Sequence, residues 1–206
     1  MQQSLFITLE GVEGAGKSTL MSYVAEILSN SGKDVLQTRE PGGTKTGEQI
    51  RNILLNRNNI TVTDDTELLL MFAARAQHIS EIILPALSSG KVVLCDRFTD
   101  ASYAYQGGGR GIETSRIETL EEWVQQGLKP NLTLLFDLDV ETGLRRAGNR
   151  SEADRFELEE MSFFERIRTC YLQRAKNEAE RFRIIDAAQT FDHVKQQIQD
   201  ILKEYL

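Results

Sequence analysis

A glycine-rich segment near the start of the chain has the spacing of a phosphate-binding loop (P-loop). Residues 11–18 read Gly-Val-Glu-Gly-Ala-Gly-Lys-Ser, which fits G-x-x-x-x-G-K-[ST], and they follow the apolar run at 5–9. Glycines let backbone N–H groups converge on phosphate oxygens, and the helix expected next would direct its positive end to the same place. The segment therefore predicts a site for a nucleoside triphosphate.

Three side chains could complete this site. Lys17 would bridge the β- and γ-phosphates, and the Ser18 hydroxyl would ligate Mg²⁺. Asp96 ends the apolar run at 92–95, where it should face the crevice above the sheet and serve the metal; a helix N-cap is the alternative. The predicted nucleotide contacts of the loop are Gly11, Val12, Glu13, Gly14, Ala15, Gly16, Lys17, Ser18 and Thr19.

Arginines crowd one polar segment in the second half of the chain. Arg145, Arg146, Arg150 and Arg155 lie within 141–156, which we name the LID segment. Such a segment is typical of a mobile cover that brings cations onto a transferring phosphate. The Asn-Lys-x-Asp segment of guanine-binding switches and the signature sequence of transporter ATPases are both missing from the sequence. A phosphotransferase is therefore favoured.

The elements that must position these residues follow from the hydrophobic pattern. Parallel strands need crossover connections, so strands that alternate with helices predict one α/β domain over 1–206. Its five-stranded parallel sheet should be covered by helices on both faces. The predicted strands are 5–9, 34–39, 91–95, 132–138 and 182–185, and the predicted helices are 18–28, 47–55, 64–87, 114–126, 157–181 and 193–202.

Composition limits the partners of the chain. Its 206 residues include 24 Lys+Arg and 31 Asp+Glu, and the net charge of −7 argues against nucleic acid or an anionic membrane as the main partner. No run approaches the ~18 apolar residues of a membrane span, and Met1–Phe6 lacks the pattern of a secretory signal. We expect a cytoplasmic protein. Cys95 and Cys170 fit neither a disulfide framework nor a zinc site.

Six motifs together resemble the bacterial thymidylate kinases, of the P-loop nucleoside monophosphate kinase superfamily. The P-loop is generic, but Arg-Glu-Pro-Gly-Gly-Thr and Ala-Tyr-Gln-Gly-Gly-Gly are specific to that family, and the resemblance covers nearly the whole chain. It implies the P-loop kinase fold with a mobile LID. The motifs are Glu10–Ser18, Thr38–Thr44, Phe72–Arg75, Asp96-Arg97, Ala104–Gly111 and Asp154–Glu157.

The resemblance implies transfer of the γ-phosphoryl group of ATP to dTMP, giving dTDP and ADP, in dTTP biosynthesis. A phosphomonoester with a second pKa of ~6 is already anionic near neutral pH, so the acceptor needs no general base. Mg²⁺, Lys17 and arginines would relieve the repulsion between two anions held in line. In the family's pattern Arg97 grips the acceptor phosphate, Glu13 lies near it, and Arg51 matches a further contact to that phosphate.

The catalytic cation should come from the LID segment. Relatives of the eukaryotic type carry an arginine at the position of Gly14, which this chain lacks, so the resemblance implies Arg150 instead. The other LID arginines could assist. For each of them, the alternative is a solvated arginine paired with a nearby glutamate.

The resemblance also implies a set of substrate contacts. Phe72 would stack on the pyrimidine and Arg75 would donate hydrogen bonds to it, although an aromatic at helical spacing is usually core. The Tyr105 ring would disfavour a 2′-hydroxyl, and Pro41 belongs to a loop over the base. The full set is Glu40, Pro41, Arg51, Phe72, Arg75, Arg97, Ser102, Tyr105 and Gln106.

Other features have ordinary interpretations. Neither His78 nor His193 has a carboxylate or nucleophile at a sequence spacing typical of a catalytic pair, so we interpret both as structural. Trp123 is predicted to lie on a packing face. Family members are homodimers built by helix packing, so the apolar side of 68–83 is a candidate interface, with the domain core as the alternative.

Three other functions stay open on the sequence. A nucleoside monophosphate kinase for another base shares most of these motifs. A deoxynucleoside kinase would need a carboxylate base, for which Glu10 or Glu40 would have to be recruited. A regulatory NTP-binding module would switch conformation without an acceptor.

Overall fold

A computed structural model describes residues 4–58, 62–148 and 154–206. Five strands form one parallel sheet in the order β2-β3-β1-β4-β5, which confirms the predicted α/β fold. Every predicted strand boundary lies within one residue of the observed one. The strands are β1 (Leu5–Glu10), β2 (Val35–Arg39), β3 (Val92–Asp96), β4 (Leu132–Asp137) and β5 (Phe182–Asp186).

The strand register brings three chemistry-bearing loops to one edge of the sheet. Leu9 of β1 and Arg39 of β2 both pair with Asp96 of β3, so the carboxyl ends of these strands are level. β1 is buried along its whole length, which makes it the centre of the core. The P-loop after β1, the loop after β2 and the Asp96-Arg97 pair after β3 therefore converge, as a parallel sheet requires.

Helices cover the sheet and begin at identifiable caps. Side chains of Thr44, Thr63, Asp139 and Thr190 each accept a hydrogen bond from a first-turn N–H group. The helices are α1 (Lys17–Asn30), α2 (Lys45–Leu55), α3 (Asp64–His78), α4 (Leu84–Ser88), α5 (Thr99–Ser102), α6 (Thr114–Gln125), α7 (Val140–Ala147), α8 (Met161–Asn177) and α9 (Phe191–Leu202).

Two π-helical turns were not predicted. One, Ile79–Ile83, joins α3 to α4, and the other, Tyr103–Gly109, extends α5 into the glycine-rich stretch at 107–111, to which the sequence assigns no helix. The first half of the LID segment also differs from expectation, because α7 occupies it. Trp123, predicted to lie on a packing face, is 75% exposed and belongs to no apolar cluster of the described chain.

The helix that runs from Asp64 to Ser88 is long and apolar enough, by length and composition alone, to cross a membrane. A count of uninterrupted apolar residues misses it, since charged side chains divide the run. Within the domain, Leu68, Ile79 and Ile83 of this helix are buried in apolar clusters. These contacts are those of a core helix.

Candidate active site

A cavity of about 400 Å³ lies at the carboxyl edge of the sheet. The P-loop forms one part of its wall, and the loop after β2, α2, α3, the segment after β3 and the end of the LID segment contribute to the rest. Its lining includes Glu13, Gly14, Ala15, Gly16, Lys17, Ser18, Glu40, Pro41, Arg51, Met71, Arg75, Asp96, Arg97, Phe98, Ser102, Tyr105, Gln106, Asp154, Phe156 and Glu157.

The P-loop presents an amine and a helix end to this cavity. The Lys17 amine donates to the carbonyl oxygens of Gly11 (2.9 Å) and Val12 (3.0 Å). Burial lowers the pKa of Lys17, and the Arg97 charge lowers it further. Among the described residues no side chain caps the start of α1, and its first turn carries no acidic residue. Both groups are therefore suited to an anion.

The P-loop packs directly on α7. A Cβ atom on Gly143 of α7 would lie 2.6 Å from the carbonyl oxygen of Glu13, and one on Gly14 would lie closer still to the carbonyl oxygen of Gly143. Gly14 also has a φ of 72°, which a side chain would strain. An arginine at position 14 would thus require α7 to move.

The backbone of Arg97 is held in the left-handed region, with φ of 67°. Hydrogen bonds fix it on both sides: the Arg97 N–H donates to the Leu9 carbonyl (2.9 Å), and the Phe98 N–H donates to Glu10 Oε1 (2.7 Å). Tyr171 donates to the other oxygen of Glu10 (2.7 Å). Burial, reinforced by the negative charge of a neighbouring aspartate, raises the pKa of Glu10 to about 8.

The guanidinium of Arg97 is oriented by groups that also line the cavity. Its Nη2 lies 2.5 Å from Glu13 Oε1, and its Cζ lies 4.6 Å from the centre of the Tyr105 ring. Tyr105 donates to the same Glu13 oxygen at 2.9 Å. Burial alone would raise the pKa of Glu13, but the charges of Arg97 and Lys17 overcome it and hold that pKa below its usual value. Glu13 is therefore an anion that aims Arg97.

Asp96 has the features of a metal ligand. Its Oδ1 is buried and has no hydrogen-bond partner within the described parts of the chain, and it shares the cavity wall with Ser18. The N-cap position of α5 belongs to Phe98, so the N-cap alternative for Asp96 is wrong. In ranges 4–58, 62–148 and 154–206 no three His, Cys, Asp or Glu side chains cluster around a metal position. Mg²⁺ suits such a site, because it binds through few protein ligands together with phosphates and water.

Arg75 marks a second part of the cavity wall. Its Nε donates to Glu40 Oε2 (2.7 Å), and its Nη2 donates to the Phe98 carbonyl and to Ser102 Oγ, both at 3.1 Å. Its Nη1 is buried without a partner among the described residues. The guanidinium lies over the Phe72 ring at 4.6 Å and the Phe98 ring at 5.1 Å. An unpaired donor on a fixed guanidinium is suited to a carbonyl of a ligand.

Comparison with known proteins agrees with this geometry. The family model described as "Thymidylate kinase" matches residues 9–198. A thymidylate kinase of Pseudomonas fluorescens (strain SBW25) is 57% identical over 202 residues, covering 98% of this chain and 96% of the relative. A thymidylate kinase of Pseudomonas putida (strain GB-1) is 57% identical over 198 residues, covering 96% of this chain and 94% of the relative.

The chain belongs to the thymidylate kinase family. It is accordingly a phosphotransferase. Of the residues that the resemblance assigns to a thymidylate kinase site, most line the one cavity described above. Among the described residues, those outside its lining are Gly11, Val12, Thr19, Phe72 and the LID arginines Arg145, Arg146 and Arg155.

Phe72 is the predicted contact whose position differs most from expectation. It is 2% exposed and packs in a cluster with Leu68, Tyr103 and Ile117. The Arg75 guanidinium stacks on its ring. This placement favours the core interpretation of an aromatic at helical spacing.

The LID arginines that the structure describes are turned away from the cavity. Arg145 donates to Thr142 Oγ1 (3.3 Å), and Arg146 donates to the Ala187 carbonyl (3.1 Å). Arg155 donates to the Leu54 carbonyl (2.8 Å) and to a buried carboxylate described next. Arg150, the predicted catalytic arginine, lies outside the described residues.

Sequence reasoning missed two carboxylate clusters of this thymidylate kinase fold. Glu67 is fully buried and accepts hydrogen bonds from Gln106 (2.8 Å), Arg110 (3.2 Å) and Arg155. Its carboxylate therefore joins Gln106 of the cavity wall to Arg155 at the end of the LID segment. Glu40 bonds both Arg75 and His78. The signal for the second cluster was the three-residue spacing of Arg75 and His78, which places both on one helix face.

Proposed function

We propose that the protein transfers the γ-phosphoryl group of ATP to dTMP, giving dTDP and ADP. The observation that carries this proposal is that one cavity is lined both by the P-loop and by the Arg75 guanidinium, whose Nη1 has no partner among the residues that the structure describes. Two ligands that each carry phosphate, one of them with a pyrimidine base, match those two parts of the wall.

The phosphate end of the cavity supports charge neutralisation and alignment. Lys17 would exchange its two carbonyl partners for phosphate oxygens of ATP. Arg97, aimed by Glu13, would bind the acceptor phosphate. Ser18 and Asp96 would hold Mg²⁺, which neutralises phosphate charge when it is bound.

A general base is not required, and the two carboxylates that another kinase would recruit are engaged. A deoxynucleoside kinase would need Glu10 or Glu40 to accept a proton from a sugar hydroxyl. Glu10 accepts from Phe98 and Tyr171, and Glu40 accepts from Arg75 and His78. These contacts favour a phosphate acceptor over a hydroxyl acceptor.

The other end of the cavity supports recognition of a pyrimidine nucleotide. Arg75 Nη1 would donate to a carbonyl of the base, and Ser102 and Gln106 lie in the same wall. Phe72 would support the plane of the Arg75 guanidinium instead of meeting the base. The Tyr105 ring would disfavour a ribose hydroxyl, while Arg51, which donates to the Pro41 carbonyl (2.9 Å), would hold the loop over the base.

A coupled ADP-release assay with ATP and Mg²⁺ tests the proposed function. The acceptors would be dTMP, dUMP, dCMP, dGMP, AMP and thymidine, each against a blank without acceptor. We expect dTMP to give the highest kcat/KM. A rate with dTMP no higher than the blank would disprove the proposal, and a preference for AMP or thymidine would replace it with one of the alternatives.

We propose Arg150 as the catalytic cation of the LID segment. The close contact between Gly14 and Gly143 leaves no room for a P-loop arginine. An arginine that stabilises the transferring phosphoryl group is worth ~10³-fold or more in kcat, so Arg150→Ala should lower kcat by about that factor. Near-normal kcat in this variant would assign the role to another LID arginine.

We also propose a cytoplasmic homodimer with no nucleic-acid or membrane partner, in keeping with the net charge of −7. The helix from Asp64 to Ser88 carries an exposed stripe of small and apolar residues, which are Leu69 (56% exposed), Ala73, Ala76, Ser80 and Leu84 (46% exposed). Small residues in such a stripe let a second helix approach closely.

Light scattering after size exclusion tests the homodimer. The wild type should have twice the chain mass of 23.3 kDa. The Ala76→Arg variant should have the mass of one chain. Ala188→Arg, which adds the same charge at an exposed position away from the stripe, should stay dimeric. A wild type of single mass would refute the dimer.

A further inference from the structure

A chain of four polar side chains runs behind the wall of the cavity. Thr38 Oγ1 lies 2.6 Å from His78 Nε2, and His78 Nδ1 lies 2.9 Å from Glu40 Oε1. The second oxygen of Glu40 lies 2.7 Å from Arg75 Nε. Three of the four are buried, with exposed fractions of 0% for His78, 5% for Glu40 and 2% for Arg75. Such a network orders its members, since a buried polar group left unpaired is costly.

The direction of the hydrogen bonds follows from the donors present. The carboxylate of Glu40, which pairs with the Arg75 guanidinium, accepts hydrogen bonds, so Nδ1 of His78 donates to it. Nε2 can then accept from the Thr38 hydroxyl. Glu40 is thereby held at both oxygens by residues three positions apart on α3.

This arrangement determines which donor of Arg75 remains for a ligand. The rings of Phe72 and Phe98 set the plane of the guanidinium, but they do not prevent rotation within that plane. The bond from Nε to Glu40 sets that rotation, and Nη2 is taken by Phe98 and Ser102. Only Nη1 has no partner among the described residues.

We infer that His78 is a positioning residue for base recognition: through Glu40 it holds Arg75 so that Nη1 faces the base-binding part of the cavity. The inference deepens the proposed function and rests on it. His78 also contacts the loop over the base, because a Cβ atom on Gly43 would lie 2.6 Å from His78 Nε2. The α-helix changes to a π-turn directly after His78, a feature common at functional sites.

Three substitutions at His78 separate its two hydrogen bonds. In His78→Asn, the amide nitrogen takes the place of Nδ1 and keeps the donor to Glu40. In His78→Gln, the amide reaches the place of Nε2 and keeps the contact to Thr38 but loses the donor to Glu40. His78→Leu loses both. His193→Gln is the matched control, because the only other histidine of the chain lies exposed on α9.

The readouts are KM for dTMP, KM for ATP, and the ratio of kcat/KM for dTMP to that for dCMP, which carries an amino group where dTMP has a carbonyl. We expect His78→Gln and His78→Leu to raise KM for dTMP about tenfold, to leave KM for ATP unchanged and to lower the ratio, since an oriented charged hydrogen bond is weakened. His78→Asn and His193→Gln should behave as wild type.

The other outcomes overturn the inference. An unchanged KM for dTMP in His78→Gln, or equal losses in His78→Asn and His78→Leu, would show that His78 only fills space. Titration calorimetry measures the affinity for dTMP without turnover. It therefore also tests a variant whose catalysis is impaired. If wild type bound no dTMP, the proposed function would fail as well. If wild type bound dTMP and the Gln variant bound it equally, this inference alone would fail.

Discussion

The close contact between the P-loop and α7 should make nucleotide binding sensitive to a single methyl group at Gly143. A Cβ atom at Gly143 would lie 2.6 Å from the Glu13 carbonyl oxygen, while ordinary contacts begin near 3.4 Å, so Gly143→Ala must displace the P-loop or α7 by about 0.8 Å. Overpacking of this kind costs ~1–3 kcal/mol. The better helix propensity of alanine returns ~1 kcal/mol.

The steric term exceeds the propensity term, so Gly143→Ala should weaken ATP binding. The difference between these two terms is at most ~2 kcal/mol, which corresponds to a rise in KM for ATP of up to about 30-fold. KM for dTMP should change less, because Arg75 and Ser102 belong to other elements. The measurements are steady-state kinetics with each substrate varied in turn, together with the Tm of the free protein.

Gly148→Ala is the control for helix propensity. It adds the same methyl group at the end of α7, where the nearest atom would be the Leu144 carbonyl oxygen at an ordinary 3.5 Å. Tm should stay level or rise in this variant. If Gly143→Ala raised Tm in the same way and kept the wild-type KM for ATP, the packing of the P-loop on α7 would have no part in nucleotide binding.

Three further predictions concern charged groups of the site. Arg97→Lys should raise KM for dTMP and lower kcat by about 10²-fold, because an ammonium cannot reproduce the planar fork between Glu13 and the acceptor phosphate; steady-state kinetics with retained activity would contradict this. Asp96→Asn should raise the Mg²⁺ concentration for half-maximal activity about tenfold without lowering Tm in metal-free buffer, since Oδ1 has no partner in the described structure to lose; an unchanged Mg²⁺ titration would exclude Asp96 as a ligand. The pKa of Glu10 is raised from 4.5 to about 8, so the folded state holds this proton more tightly and the stability it contributes is lost as pH rises from 4.5 to 8. The Glu10→Gln variant should therefore gain stability relative to wild type as pH rises from 4.5 to 8. Parallel curves of Tm against pH for the two proteins would refute the raised pKa of Glu10.

Much of the fold was predictable because strand signals are local. Short apolar runs such as 92–96 alternate with turn residues, and their ends were placed within one residue. The glycine-rich stretch before Arg110 carries no helix signal in the sequence, since glycine is typical of both turns and close packing. Here Gly109 lies against Phe163 of α8, where a Cβ atom would come within 2.5 Å of the ring.

The site was predictable only where one segment supplies the chemistry. The P-loop places its residues within eight positions, so its spacing alone indicates phosphate binding. Partners that meet through the fold have no such signal: Glu40 and His78 are 38 positions apart, and Glu10 and Tyr171 are 161 apart. For Phe72, helical periodicity favours the core and the family resemblance implies a contact with the base; the structure agrees with the periodicity, because the ring lies in an apolar cluster under the Arg75 guanidinium.

The backbone conformation of Arg97 has a consequence for any attempt to improve the heat tolerance of this protein. A non-glycine residue in the left-handed region carries ~1–2 kcal/mol of strain, and glycine at position 97 would relieve it. The replacement would also remove the guanidinium that Glu13 aims into the cavity. That loss would leave the partly buried Glu13 carboxylate without its partner, and breaking a buried ion pair costs ~3–5 kcal/mol, which is more than the strain relief returns. The strained backbone is therefore retained by the same contact that directs the guanidinium, and stabilising substitutions have to be sought at other positions.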